Sequence, residues 1–389
     1  MDNARGGRLK AALSVCVVAL AGCSSIGGLY DKVLGRSSGP QPAPLPAIAN
    51  PAPVKLLWSA NIGKADRFIF APAVVGDAVY AAGRDGNVTR LDASSGQSRW
   101  RVNVERKLSG GVGADDRTVV VGTDEGEVIA LEAQSGMVRW RGRVSSEVFT
   151  RPGVGRGAVF VRTTDNKVFA FDAEDGRRRW VYQRVPSPLI MRAPSGLVVS
   201  GDTLFAGFPG GKLGAIATSN GALRWEATIS QPKGSTELER VTDVVGDPVV
   251  QSGEVCAASY QGRVACFEEG NGRQTWSRDL SSLTGVSVDA RYAFVSDDRG
   301  AVHSLDRTNG RPIWKQDKLA LRQLSMPMAV GNSVAVGDFE GQVHFLARDS
   351  GAFVSRYATS GGAVHAGPVA IPGGVLVQTQ NGGLFALAP

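Results

Sequence analysis

Residues 79–100 read VYAAGRDGNVTRLDASSGQSRW. A short apolar run, Val79-Tyr80-Ala81, meets a tight turn at Asp85-Gly86. A second apolar run through Val88 and Leu91 follows, then acidic Asp92, Gly96 and Trp100. The pattern returns eight times, with the turn position held by Gly86, Gly126, Asn166, Gly211, Gly262, Gly300, Gly341 and Gly382. Gly and Asn tolerate the positive φ that hairpin turns demand. Five residues after each turn stands Leu91, Leu131, Phe171, Ile216, Phe267, Leu305, Leu346 or Leu387. Fourteen residues after it stands Trp100, Trp140, Trp180, Trp225, Trp276 or Trp314, with Ser355 in the seventh slot.

The run before each turn is apolar without alternation, as in Val119-Val120-Val121 and Val334-Ala335-Val336. Strands of this kind are covered on both faces, which is the condition of a blade between two neighbours. The eighth repeat runs out of chain before its Trp. At the other end, Leu56-Leu57-Trp58 is a Trp strand with no turn unit before it. The sequence therefore predicts an all-β, eight-bladed β-propeller over 54–389, closed by N- and C-terminal strands sharing one blade. Closure removes exposed sheet edges. Those 336 residues give 42 per blade, enough for four strands and short loops. The fourth and seventh copies depart from the pattern, with Ala217 and Ala347 for the acidic residue and Ser355 for Trp, and weaker packing is expected there.

The segments from Ala130 to Trp140 and from Ala170 to Trp180 resemble the tryptophan-docking motif of pyrroloquinoline-quinone-like repeats. In that family the Trp packs across the blade boundary. Quinoprotein dehydrogenases of this shape hold calcium, an Asp base and often a Cys-Cys pair. This chain has no adjacent cysteines, and its acidic residues fall mainly at turns, such as Asp85, Glu125 and Asp298. No catalytic residue, cofactor or metal site is expected, since function must be argued from a site and not from a fold. His303 and His344 share a slot that elsewhere accepts Gly214 and Phe385, and His365 is isolated. Cys256 and Cys266 lie on the two strands of one hairpin, either as packed thiols or as a bridge.

The N-terminus is of another kind. Arg5, Arg8 and Lys10 precede an apolar run from Ala11 to Leu20, which is too short to span a bilayer. Leu20-Ala21-Gly22-Cys23-Ser24 resembles the bacterial lipobox. Residues 1–22 are expected to be a signal peptide, Cys23 the lipidated N-terminus, and 23–53, rich in Pro, a semi-rigid tether. The resemblance implies outer-membrane sorting, because Ser24 stands where an Asp would retain the protein at the inner membrane. The formal net charge is +7, and residues 1–22 carry three basic residues and one acidic, leaving +5. No basic block follows a path that phosphates could track, so nucleic acid is not implied.

Loop length singles out one region. From each Trp slot to the next turn residue the counts are 28, 26, 26, 31, 37, 24, 27 and 27. The two long connections are consecutive and both run from an outer strand to the next inner strand, so they emerge side by side on one face. The first holds Leu189, Ile190, Met191 and Arg192, and the second holds Glu237, Glu239, Arg240 and Asp243. Apolar anchors beside charges suit a protein partner.

The Pro-Ser-x-Leu-x-x-Arg run at 186–192 and the Gly-Ser-Thr-Glu-Leu-Glu-Arg-Val-Thr-Asp run at 234–243 resemble those of the BamB lipoprotein family, of the outer-membrane β-barrel assembly machinery. The resemblance implies a scaffold, not an enzyme, on the periplasmic side of the outer membrane. It implies the Bam complex as partner, docked through BamA, with outer-membrane proteins as further contacts. Leu189, Met191, Arg192 and Asp243 match the family's contact positions, and Asp243 is a candidate for holding Arg192 across the loops. A second acidic position in the family is Val245 here, with Asp247 nearby. A quinoprotein oxidoreductase and a glycan-binding propeller are the alternatives.

Overall fold

The structure, a computed structural model, describes residues 40–389 apart from 186–188, 190, 192–194 and 360. The described residues form eight antiparallel four-stranded sheets and no helix. Blade 1 spans 73–103, blade 2 108–143, blade 3 153–183, blade 4 197–228, blade 5 244–279, blade 6 287–316 and blade 7 328–358. Blade 8 takes three strands from 369–388 and its outer strand from Lys55–Asn61. Lys55 lies opposite Ala388 and Asn61 opposite Gly383, so the predicted closure is present. Each innermost strand touches the next around the ring, including Ala73–Val75 against Val369–Ile371.

The middle strands carry the core. Thr118–Thr123 and Thr203–Phe208 are buried at every position. Outer strands such as Ser98–Asn103 expose alternate residues to water. Every third-to-fourth strand pairing carries a register shift beside the Trp slot, as between Ala130 and Leu131. The extra residue, Arg139 in blade 2, bends the strand and aims Trp140 across the blade boundary.

Docking is uniform. Seven indoles donate Nε1–H to a backbone carbonyl of the following blade at 2.6–3.1 Å, from Trp58 to Ala93 through Trp314 to Arg348. Each ring also lies on a Gly of that blade. A Cβ on Gly176, at φ +73°, would stand 2.6 Å from the Trp140 ring. At the fourth and seventh motifs the missing acidic residue does not weaken docking, whereas the seventh Trp slot, Ser355, makes no docking bond. Trp180 still reaches the Thr218 carbonyl at 3.0 Å beside Ala217, and Trp314 reaches Arg348 at 2.8 Å beside Ala347. The acceptor is backbone, so the acidic side chain is dispensable for it.

Ser355 has a topological reason. Its strand faces blade 8, whose third strand ends at Ala388 and whose fourth begins at Lys55. These two strands come from opposite parts of the chain, so the turn that carries the docking Gly and carbonyl in the other blades does not join them. A Trp there would have no seat.

The folded unit begins earlier than residue 54. Residues 42–389 form one compact body. The Ala43 amide donates to the Ala320 carbonyl and the Ala52 amide to Val354. The last dozen residues of the expected tether are therefore held against the ring. Cys23 and the signal segment lie outside the described residues.

Candidate functional site

The two long connections join blade 3 to blade 4 and blade 4 to blade 5. Both leave outer strands, Arg178–Gln183 and Leu223–Thr228, and enter the next inner strand on one face. Asp243 ties them together. Its Oδ2 accepts the Met191 amide at 2.6 Å, and its Oδ1 accepts the Gly210 amide at 3.1 Å. One carboxylate thus ties Met191 of the first loop and the central turn of blade 4 to the base of the second loop. Asp243 is 5 % exposed, so its carboxylate is turned to these amides and not to the surface. Burial pushes its carboxyl above the usual aspartate value, while the two amides and the Arg162 charge oppose that. Arg162 reaches the Ser195 carbonyl at 3.1 Å, closing the far end of the first loop. Burial pulls Arg162 down to about 10, with the Asp243 charge opposing.

The second loop has its own frame. Thr236 Oγ1 accepts the Glu239 amide at 3.2 Å, and Glu239 Oε2 accepts the Ser235 and Thr236 amides at 2.8 and 3.1 Å. This is a capping box around one helical turn. These amides hold the Glu239 carboxyl below its ordinary value. At the base, Ser230 Oγ meets Thr242 Oγ1 at 2.5 Å. Glu237 and Arg240 are exposed, and Leu238 between them is 71 % exposed. On the first loop Leu189 is 42 % exposed and Val185 92 %, whereas Met191 is half-buried. Ile190 and Arg192 lie outside the described residues, as does any Asp243–Arg192 contact. The sequence pointed to Leu189 but passed over Leu238 and Val185. Leu238 is the one large apolar side chain inside a charged turn, and that contrast was the available signal.

The second acidic position is not replaced nearby. Val245 is a buried strand residue opposite Ala258. Asp247 sits in the bulge between Val245 and Val249, where Arg151, just before blade 3, bridges to it at 2.6 Å. It is already partnered inside the ring.

The remaining candidates are structural. His303 and His344 each pair with an Asp six residues earlier, at 2.9 Å to Asp297 and 3.0 Å to Asp338. No group of His, Cys, Asp or Glu that could hold a metal occurs among the described residues. Cys256 and Cys266 face each other in register and form a disulfide.

The family model for outer membrane protein assembly factor BamB matches residues 84–316. The chain belongs to the BamB family. It is 40 % identical over 387 residues to the BamB of Bordetella pertussis, covering 99 % of this chain and 98 % of that one. It is 42 % identical to the BamB of Pseudomonas aeruginosa over 97 % of both chains. The crystal structure of BamB from Moraxella catarrhalis superposes with a TM-score of 0.78 at 28 % identity, covering 86 % of this chain and all of that one. A quinohemoprotein alcohol dehydrogenase from Comamonas testosteroni also superposes, at 0.67, but at 13 % identity over 86 % of this chain and 76 % of that one. That likeness concerns the fold alone. The stretch matched by the BamB model contains both long connections.

Proposed function

We propose that this chain is a non-enzymatic scaffold of the outer-membrane protein assembly machinery, anchored at the periplasmic face of the outer membrane by lipid on Cys23. It binds the barrel-forming subunit BamA through the face carrying residues 185–193 and 231–246. Membership of the BamB family supports the assembly role. One observation supports the surface: Asp243 holds two otherwise separate loops as one unit, with Leu189 and Leu238 exposed on it. A preassembled surface saves the ordering cost that free loops would incur on binding. Leu189, Leu238 and Arg192 supply the anchors, with Ile190, Glu237 and Arg240 around them.

The test is capture of BamA by variants at Leu189, Leu238 and Arg192, each paired with a thermal melt. A well-folded Leu189→Asp, Arg192→Glu chain that still captures BamA fully would move the search to another face. Intact-mass measurement of the membrane-extracted protein tests the anchor, since a Cys23 N-terminus with acyl mass is expected.

A further inference from the structure

The segment that precedes the first strand makes contacts a tether has no need for. Pro stands at 42, 44, 46, 51 and 53, so those positions have no N–H to give a sheet ladder. The ring nevertheless binds this stretch along its backbone. Ala43 donates to the Ala320 carbonyl at 2.9 Å, and its own carbonyl accepts from Arg322 Nη1 at 3.1 Å. The Pro46 carbonyl accepts from Arg356 Nη2 at 3.1 Å. Ala52 donates to Val354 at 3.0 Å. Leu45 packs into the apolar cluster of the blade 6–7 boundary, with Trp314, Leu319 and Leu324. Val54 packs into that of the blade 7–8 boundary, with Phe345, Tyr357 and Leu387.

Arg322 is built into the ring, and Arg356 is half-buried against it. Arg322 is 3 % exposed, and its Nε binds Asp338 at 2.7 Å while Nη2 binds Glu340. Asp338 also meets His344 Nε2, and His344 Nδ1 accepts from Arg356 Nε at 3.1 Å. Each arginine is braced by this buried network and turns one remaining N–H toward a carbonyl of the Pro-rich segment. Rigid donors and an apolar notch set for carbonyls and a single Leu are the chemistry by which extended Pro-rich peptides are recognised.

Position adds a second argument. The segment crosses the outer edge of blade 7 beside Ser355, at the boundary where no Trp docks. We infer that the outer edge of blades 6 and 7 is a recognition site for an extended Pro-rich peptide, occupied in cis by residues 42–54, which lock the ring where the eighth Trp is missing. The compact body begins at Pro42, beside the connection at 317–327 between blades 6 and 7. That connection is on the same face as the two docking loops. The start of the compact body therefore lies on the face proposed above for partner binding. The site itself does not depend on that reading.

Hydrogen exchange on the exported chain with Cys23→Ser tests it. The Ala43 and Ala52 amides should exchange at least ~100-fold more slowly than in the free peptide of residues 40–54. Leu45→Asp lies outside the blades and should remove most of that protection while leaving strand amides unchanged. Arg356→Ala tests the ring side in the same way. A fluorescent peptide of residues 40–54 should bind the Leu45→Asp chain at least ~10-fold more tightly than the wild type, whose site is filled. Free-peptide exchange at Ala43 and Ala52 in the wild type, or equal peptide binding by both chains, would overturn the proposal. Neither readout involves BamA or lipid.

Discussion

Asp243 accepts the backbone amide of Met191 at 2.6 Å, across 52 residues of chain and from the far side of blade 4. The contact is between a buried side chain and a loop backbone. It separates the residues exposed on the proposed partner surface from the residue that shapes it. Asp243→Ala should weaken BamA capture by about 10-fold or more, because the loops lose their common support and two amides lose a charged acceptor. Asp243→Asn keeps one acceptor oxygen and should fall between the two. Titration of each variant against BamA, beside a melt, checks this. Leu189→Ala and Leu238→Ala should act on binding alone, and more than additively if they share one partner pocket.

Trp140 should behave as core although it sits on an outer strand. Its indole fills a boundary cluster with Val159 and Phe171 and donates to the Ala173 carbonyl at 3.0 Å. Trp140→Ala should cost about 3–5 kcal/mol. Gly176→Ala should also destabilise, since it forces a Cβ into the same ring from a backbone at φ +73°. Ser355→Trp should not stabilise, for want of a docking loop in blade 8. Denaturant unfolding of the three variants decides whether the seat or the Trp is the limiting part.

Ring closure gives a deletion test. Removing 55–61 leaves Gly383–Ala388 without its outer partner and exposes an edge. The melting temperature should fall sharply. Removing 24–41 should leave it unchanged, because those residues lie outside the compact unit. A deletion of 42–53 should fall between them. Equal melting temperatures for the first two would refute closure through the N-terminal strand.

His344 predicts the acid limb of stability. It is fully buried, and burial pulls its pKa below 6.5, with the Arg356 and Arg322 charges in the same direction and Asp338 opposing. Glu340 is the remaining charge in the cluster, bound to Arg322. The folded chain therefore resists protonating this ring, which would also put a proton on the nitrogen that accepts from Arg356. A base with a depressed pKa contributes stability fully above its unfolded value, about 6.5, and loses it as pH falls from there toward the folded value. Asp338, which burial pushes up but hydrogen bonds from His344, the Gln342 amide and Arg322 hold below the ordinary aspartate value, extends the loss further into acid. The urea midpoint should fall as pH drops from 7 toward 5. His344→Gln should flatten that slope, leaving the share of His365, which burial also depresses. An unchanged slope would show that His344 does not titrate with unfolding.

The sequence by itself determined the ring. Turn residues, Leu slots and Trp slots at constant spacing specify eight copies of one hairpin unit. The unpaired strands at Trp58 and at Leu387 specify how the ends meet. These signals are local or periodic, because turn φ values and strand patterning act within a few residues. The lengths of the two long connections were also legible, and they marked the candidate face. What only the tertiary structure decided is where side chains point once distant segments meet. Asp243 reads as a tie to Arg192 across the loops, yet the partners the structure shows for its carboxylate are the Met191 and Gly210 amides. Asp247 reads as a spare acid, yet it is bound to Arg151, 96 residues away. Residues 42–53 read as free tether by composition, since Pro-rich chain has no periodic apolar face. They pack because Arg322 and Arg356, roughly 300 residues later, offer donors to their carbonyls. Such pairings depend on which segments the closed ring brings together, and no pattern within a window of sequence encodes them.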